Sequence, residues 1–240
     1  MAKSAAPAPH GDKRRYVREM FSAIAPRYDL LNRLISFNLD RGWRRRALRR
    51  LGWERRREGV FLDACAGTFD LALALAATRG FAGRVIAADF ALPMLRLGAG
   101  KAAGRPVRAA AADALLLPFA DGSFDGAMVG WGVRNLADIG AGLAELRRVL
   151  RLGARLVVLD STNATPAPLR PLFFLYFRRV LPLVGRLVSG HATAYSYLPD
   201  SVRDFPPPAA LETLLHQAGF ADTGFDLLAG GAVAVHWGCR

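Results

Sequence analysis

Residues 60–76 constrain the fold of this chain more than any other stretch. They read Val-Phe-Leu-Asp-Ala-Cys-Ala-Gly-Thr-Phe-Asp-Leu-Ala-Leu-Ala-Leu-Ala. A short apolar run ends at Asp63, a turn follows at Gly67-Thr68, and Asp70 begins an apolar pattern with helical spacing. Because a strand, a tight turn and a helix N-terminus together form a common site for nucleotide-like ligands, the stretch predicts such a site.

The same alternation of strand and helix continues along the chain. Strands are predicted at 60–64, 84–88, 107–111, 126–130 and 154–160, with helices at 70–79, 92–103, 138–151 and within 168–188. A helix at 208–218 is followed by strands at 221–228 and 232–238, which can pair as an antiparallel hairpin around Gly230-Gly231. The pattern predicts an α/β fold with a Rossmann-like, seven-stranded, mostly parallel sheet, helices on both faces and an antiparallel terminal hairpin. This is the layout of class I methyltransferases.

Acidic residues and glycines follow the predicted strands, at the edge where open α/β sheets bind ligands. Asp89 can accept hydrogen bonds from both ribose hydroxyls, while the Asp113 side chain and the Ala114 amide suit an adenine ring. The Gly67-Thr68 turn allows close approach of an amino-acid group. Asp63 is more easily read as a structural acid that binds backbone amides. Since no glycine motif for a pyrophosphate is present, the pattern favours S-adenosylmethionine over NAD or ATP.

Three further segments resemble the menaquinone/ubiquinone biosynthesis C-methyltransferase family. They lie at Met20–Asn32 with Trp43-Arg44, at Leu117–Asp125 with Gly132–Asn135, and at Arg179–Ser201 with its Tyr-Ser-Tyr-Leu-Pro-Asp-Ser run. The similarity covers about residues 16–238. It implies methylation of a ring carbon of a polyprenylated quinol, with demethylmenaquinol favoured and S-adenosylmethionine as the methyl donor. A methyltransferase for another small aromatic compound is the alternative.

The resemblance also implies binding positions for the methyl donor. They fall on Thr68, Asp89, Asp113 and Ala114, and a further position, often serine in the family, is Gly130 here. The chain departs from the family pattern at three places. Phe69 replaces a turn glycine, Asp160-Ser161-Thr162 replaces Glu-Phe-Ser, and Arg151-Leu152-Gly153-Ala154 replaces Lys-Pro-Gly-Gly. We expect Phe69 either to adopt a strained left-handed conformation or to pack into the cofactor pocket.

Methyl transfer to a quinol carbon requires loss of a phenol proton and stabilisation of the resulting negative charge. Arg134 is the candidate for stabilising that oxyanion, and Asn135 for orienting the ring. The pocket wall and the proton path are expected to draw on Tyr28, Asp29, His191, Tyr195 and Tyr197.

Composition gives the chain a net charge of +13, and residues 1–58 hold 16 Lys/Arg against six Asp/Glu. Such a basic region suits lipid headgroups or nucleic acid, although an arginine-rich genome gives the same bias. With no signal sequence and no spanning run, we expect a cytoplasmic protein, peripherally attached at the inner face of the cell membrane. Cys65 and Cys239 form no disulfide framework, and no metal site is expected.

The expected organisation is a disordered leader over 1–12 and a single methyltransferase domain over 13–240. That domain comprises an N-terminal helical cap (13–58), a cofactor-binding core (59–164), a substrate- and tail-binding insertion (165–205), and a C-terminal helix with hairpin (206–240). One competing hypothesis is a catalytically impaired scaffold of a quinone-biosynthesis assembly, with Phe69 filling the cofactor site. Another is an RNA methyltransferase, but no nucleic-acid-binding motif is present and nucleic acid is not expected as a partner. The sequence leaves the oligomeric state open.

Overall fold

The structure, a computed structural model, describes residues 10–164 and 192–240, and within them the side chains of all but residues 10–12, 192–196 and 198. This part of the chain contains eight helices and seven strands. The helices are α1 (His10–Ile24), α2 (Tyr28–Ser36), α3 (Asp40–Leu51), α4 (Asp70–Ala76), α5 (Leu92–Lys101), α6 (Ile139–Val149), α7 (Ala192–Arg203) and α8 (Pro208–Gln217). The strands are β1 (Val60–Ala64), β2 (Arg84–Asp89), β3 (Val107–Ala111), β4 (Phe124–Gly130), β5 (Leu150–Ser161), β6 (Ala221–Leu228) and β7 (Val233–Cys239).

All seven strands form one sheet in the order β3-β2-β1-β4-β5-β7-β6. Strands β1 to β5 pair in parallel, whereas β7 runs antiparallel to both β5 and β6. The predicted fold class is therefore confirmed, including the terminal hairpin. Its turn uses Gly230 and Gly231, both with positive φ, where glycine avoids the steric cost of a Cβ.

The strand order reverses at β1, which pairs with β2 on one side and β4 on the other. The connection from β1 leads to β2 and that from β4 leads to β5, in opposite directions, so a crevice opens between the carboxyl ends of β1 and β4. The carboxyl ends of all five parallel strands lie at this edge of the sheet. The fold thus directs attention to the residues at and after these ends.

Alternate residues of β1 point to opposite faces of the sheet, and each face has its own apolar core. Leu62 packs with side chains of α6 and α8, whereas Phe61 packs with side chains of α3, α4 and α5. Helices therefore cover both faces, and the sheet is buried as a parallel sheet requires.

The N-terminal helices divide into two groups with different roles. Helix α1 ends at Ile24 before the 3-10 turn Ala25–Arg27, which confirms the predicted break at Pro26. Helices α1 and α2 share a small cluster that packs on Met94 at the start of α5. Helix α3 differs from the expected cap, because Leu48 and Leu51 pack against the sheet instead. Helical spacing identifies an apolar face but not the surface that it covers.

Most predicted boundaries agree with the structure within a few residues. β1, β3 and β6 have the predicted limits. β4 and β5 begin earlier than predicted, and β5 follows α6 without a loop. Helix α1 begins at His10, inside the expected leader. The helices predicted within 168–188 lie outside the described residues, as does most of the expected insertion. Among the described helices, none is long and apolar enough to cross a membrane.

Candidate active site

Two carboxylates hold the turn after β1 in place. Asp63 is buried beneath it and accepts a hydrogen bond from the Ala72 amide at 2.9 Å. Asp89, at the end of β2, accepts from the amides of Gly67 and Ala91, each at 2.8 Å. Burial raises the pKa of Asp63 to about 8 and also raises the pKa of Asp89. Asp63 therefore has the structural position that its sequence context predicts.

Phe69 occupies the left-handed region that the turn glycine of related sequences would favour, with φ 70° and ψ 20°. Its ring is fully buried and points at Gly98 of α5. A Cβ added at Gly98 would lie 2.5 Å from the Cγ atom of the ring, so only glycine fits opposite it. Phe69 lines neither of the two cavities described below. The hypothesis that it fills the cofactor site is wrong.

A first cavity, which we call the strand-end cavity, lies beyond β1, β2, β3 and β4 and has a volume of about 60 Å³. Its lining includes five residues predicted to bind the methyl donor, namely Gly67, Asp89, Asp113, Ala114 and Gly130. The other two predicted cofactor residues, Thr68 and Asp63, are buried outside it.

The chemistry of the strand-end cavity suits an adenosyl sulfonium ligand. Asp89 and Asp113 line it, and Oδ2 of Asp113, which pairs with the Arg14 guanidinium, keeps a second lone pair that can accept a hydrogen bond from a ligand. Two carboxylates repel a phosphate but favour a cation and hydroxyl donors. At Gly132 an added Cβ would lie 2.4 Å from the Cβ of Cys65, so only glycine fits there. The backbone itself therefore forms this part of the cavity wall. Burial raises the pKa of the Cys65 thiol well above its usual range, which makes it a packing group.

Helix α1 closes the strand-end cavity from outside. The Lys13 ammonium donates to the carbonyl of Leu136 at 2.6 Å and to that of Arg134 at 3.3 Å. The guanidinium of Arg14 forms an ion pair with Asp113 and also lines the cavity. Neither residue stands out in the sequence, because their partners lie 99 to 123 positions away.

A second cavity, which we call the apolar cavity, has a volume of about 270 Å³. Residues of the first three helices and of the turn between α2 and α3 form most of its wall. The loop after β4, the end of β5, Tyr197 of α7 and the turn before β7 form the remainder. Its apolar lining includes Met20, Ile24, Leu31, Ile35, Trp43 and Val233. Arg134, Asn135 and Tyr197 are among the polar groups that reach it.

The two cavities share a wall. Phe21, Tyr28, Trp131 and Asn135 line both of them. Trp131 has positive φ, which is unusual for a bulky residue and turns the chain sharply after β4. A ligand in one cavity therefore lies next to a ligand in the other, separated only by these side chains.

Arg134 lies at the apolar cavity with its guanidinium held from behind. One of its Nη atoms donates to Oδ1 of Asp160 and, at 3.0 Å, to the carbonyl of Trp131. Asp160 is 1% exposed and also accepts from the backbone amide of Arg134 at 3.3 Å. The Nε atom of Arg134 is buried, with no hydrogen-bond partner among the described residues. In the sequence, Asp160 stands out as a departure from the family pattern, and its position at the end of the fifth predicted strand is the available signal.

Two tyrosines flank Asn135 and remain protonated at neutral pH. The Tyr197 hydroxyl donates to Oδ1 of Asn135 at 3.2 Å, and Nδ2 of Asn135 donates to the Trp131 carbonyl at 3.0 Å. Burial raises the pKa of Tyr197 to about 12 and raises the pKa of Tyr28 as well. Both phenols are therefore donors, and neither can take a proton as a phenolate.

Asp29 does not belong to the pocket wall in which the sequence placed it. Its carboxylate accepts from the Thr68 hydroxyl and pairs with Lys101 at 2.7 Å. It lines neither cavity. Two further candidates, His191 and the side chain of Tyr195, lie outside the described residues.

An ionic network ties the N-terminal helices to the turn. Arg44, 8% exposed, pairs with Asp40 and, at 3.0 Å, with Asp70. Its guanidinium also lies 5.1 Å from the ring centre of Trp131, within cation–π range. Lys101 bridges Asp70 and Asp29. The roles of Arg44 and Trp131 leave no local signal in the sequence, since these contacts connect four helices and the loop after β4.

Comparison with known proteins agrees with this geometry. Residues 10–240 match the model of the ubiE/COQ5 methyltransferase family. The chain belongs to this family. A demethylmenaquinone methyltransferase from Thermus thermophilus is 48% identical over 223 residues, which cover 92% of this chain and 100% of that protein. One from Desulfitobacterium hafniense is 41% identical, with 93% and 89% covered.

A third relative, a ubiquinone/menaquinone biosynthesis C-methyltransferase from Geobacter sulfurreducens, is 40% identical, with 88% of this chain and 83% of that protein covered. Among solved structures, a SAM-dependent methyltransferase from Thermotoga maritima superposes with a TM-score of 0.64 at 18% identity. That alignment covers 92% of this chain and 98% of the other, and it supports the fold.

Proposed function

We propose that this protein transfers a methyl group from S-adenosylmethionine to a ring carbon of a polyprenylated quinol, with demethylmenaquinol as the favoured acceptor. The observation that carries the proposal is the pair of adjoining cavities with opposite chemistry. One is lined by carboxylates and backbone turns, and the other by aliphatic and aromatic side chains. Two ligands of matching chemistry would meet at the wall they share.

The residues of the strand-end cavity fit the methyl donor, which when bound supplies an electrophilic methyl group on a sulfonium. Asp89 and Asp113 would hold its hydroxyl and amino donors, and Gly67 would let its amino-acid group approach the backbone. Lys13 and Arg14 on α1 exclude water from this side of the site.

In the apolar cavity, the quinol ring would lie beside Arg134 and Asn135. Deprotonation of a ring hydroxyl makes the adjacent carbon nucleophilic, and a nearby guanidinium stabilises the phenolate. Arg134 lines this cavity, and its buried Nε has no hydrogen-bond partner among the described residues, so it can donate to that oxygen. Asn135 would orient the ring across the shared wall.

The phenol proton requires a separate acceptor, because Arg134 stays charged and both tyrosines stay protonated. Asp40 also lines the apolar cavity, but Ser36 and Arg44 already hold its carboxylate. We infer that the proton leaves to water, with the predicted residues His191 and Tyr195 as the other acceptors to test. Asp160 positions the guanidinium and takes no proton in this scheme.

Naphthoquinol is favoured over benzoquinol by the names of the relatives. Those at 48%, 45% and 41% identity are named demethylmenaquinone methyltransferase. The purified protein should be incubated with S-adenosylmethionine and each demethylated quinol under reducing conditions, and the products weighed. One added methyl group on the naphthoquinol is expected. No methylation of either quinol would overturn the proposal.

The role of Arg134 needs a variant that keeps the protein folded. Replacing Arg134 alone leaves the Asp160 charge buried without its partner, which destabilises the core. The double variant Arg134→Met/Asp160→Asn removes both charges together. We expect turnover to fall about 10²- to 10³-fold, the usual cost of one oxyanion donor, while calorimetry shows unchanged affinity for S-adenosylmethionine. Retained turnover would contradict the assignment.

We also propose a cytoplasmic location with peripheral attachment at the inner face of the membrane. Support comes from the basic residues 1–58 and from an acceptor that itself partitions into lipid. The apolar stretch 171–184, part of the expected substrate- and tail-binding insertion, is outside the described residues.

A further inference from the structure

Four large apolar side chains on α2 and on the turn that follows it are exposed on the outside of the protein. Leu30, Leu34, Phe37 and Leu39 are 51%, 46%, 72% and 55% exposed. We call these four residues the rim patch, because Phe37 and Leu39 also line the apolar cavity. They come from α2 and from the turn that joins it to α3, where Phe37 and Asn38 both have positive φ. Exposed apolar side chains are ordinary singly, but a group of four beside a cavity indicates a binding surface.

The rim patch is continuous with the apolar cavity. Phe37 and Leu39 line the cavity as well as being exposed, so its wall extends to the protein surface at this point. A cavity of about 270 Å³ is at the small end for ligand sites and cannot enclose a long polyprenyl chain. The remainder of such a chain would leave past the rim patch.

The charge around the rim patch is positive. Arg33, Arg41 and Arg45 are exposed on α2 and α3. Residues 20–53 contain only two acids, and both are already paired, Asp29 with Lys101 and Asp40 with Arg44. Apolar side chains bordered by arginines match the interface of an anionic bilayer, where the former enter the acyl region and the latter contact headgroups.

We propose that the rim patch docks the protein on an anionic lipid surface and delivers the acceptor's tail from the bilayer into the apolar cavity. This inference rests on the proposed prenylated acceptor. It assigns a defined surface to the membrane contact, with α2 lying along the bilayer and the cavity mouth facing it.

The test uses the full-length protein and two double variants matched in chemistry. Leu30→Gln/Leu34→Gln changes rim leucines that do not line the cavity. Leu92→Gln/Leu97→Gln changes two exposed leucines of α5, which are 52% and 42% exposed. Binding is measured by co-sedimentation with phosphatidylcholine vesicles, with and without one third phosphatidylglycerol, at low and at high salt.

We expect wild type to bind the anionic vesicles at low salt, and the rim variant to bind at least about tenfold more weakly, as loss of buried leucine surface dictates. The α5 variant should bind like wild type. Arg33→Gln/Arg41→Gln should lose the preference for anionic over neutral vesicles. The proposal is overturned if wild type ignores the vesicles, if the rim variant binds normally, or if both leucine variants weaken equally.

Another copy of the chain is the competing occupant. If wild type dimerises in solution, and the rim variant is monomeric without any change in vesicle binding, the patch is a subunit interface and the proposal fails. Methylation of a water-soluble, short-tailed quinol separates this inference from the proposed function. The rim variant should retain that activity while losing activity on long-tailed quinol in vesicles. A wild type that docks but methylates neither quinol overturns the function alone.

Discussion

The strand-end cavity and the apolar cavity share a wall but are constructed in different ways. The first uses backbone turns and carboxylates at the ends of β1, β2, β3 and β4, so the sheet itself fixes its geometry. The second uses mainly side chains of helices that precede the sheet, to which the loop after β4 adds Arg134 and Asn135. Methyltransferases share one cofactor but differ in their acceptors. This division suits them, because the helices around the acceptor can change without disturbing the sheet edge that holds the cofactor.

The largest effect on cofactor binding is expected in the strand-end cavity, where one carboxylate both shapes the turn and faces the ligand. The backbone amides of Gly67 and Ala91 each donate to one oxygen of Asp89. In Asp89→Asn, one of these two amides would face the NH₂ group of the new side chain. We expect the dissociation constant for S-adenosylmethionine to rise about 100-fold, the cost of losing charged hydrogen bonds. Calorimetry measures this. Asp121→Asn, an exposed acid on a distant turn, is the matched control and should bind normally.

A smaller effect, of a different kind, is expected at the apolar cavity. Asp160→Asn weakens the support of Arg134, so turnover should fall about 10- to 100-fold while KM and cofactor affinity stay within about twofold of wild type. Asp160→Glu keeps the charge and should recover much of the turnover. Steady-state kinetics and calorimetry together measure this. Equal losses in both variants would indicate a purely structural role.

The turn should also respond to pH through Asp63. Its folded-state pKa is raised to about 8, so the folded protein holds a proton that the unfolded chain has released. The contribution of this group to the free energy of unfolding is therefore fully present below about pH 4 and is lost as pH rises through 8. The folding constant falls by up to about tenfold per pH unit in this window. Asp63→Asn mimics the protonated acid. Urea unfolding between pH 5 and 9 should show a flatter profile for this variant than for wild type.

The smallest effect tests the position where the family often has serine. A Cβ at Gly130 would meet only Leu71 Cδ2, at 3.5 Å, so a side chain fits. Gly130→Ser should raise cofactor affinity up to about fivefold, the value of one hydrogen bond. Gly130→Ala supplies the same Cβ without the hydroxyl. A gain of equal size in both variants would exclude the hydrogen bond as its cause.

The same division explains what the sequence could predict. The five parallel strands, the terminal hairpin and the carboxylates Asp89 and Asp113 follow from local patterns, because strand ends in a parallel sheet meet at one edge. The resemblance added Arg134 and Asn135. Asp160 as the support of Arg134 could not be recognised, since the two are 26 positions apart and pair only through the sheet. The stacking of Arg44 on Trp131 likewise depends on how α3 packs.

The contact between Phe69 and Gly98 makes changes at these two positions dependent on their order. Any larger residue at position 98 collides with the ring, whereas removing the ring first leaves an unfilled core beside a flexible helix glycine. Both single steps are unfavourable, although the exchanged pair, with a small turn residue and a larger helix residue, would fit. The turn glycine of related sequences is replaced here by Phe69, and the residue that faces it on α5 is a glycine instead. A mutant library that varies position 69 or position 98 alone would yield no tolerated substitution at either. A library that varies both positions together would yield pairs in which the large and the small residue are exchanged.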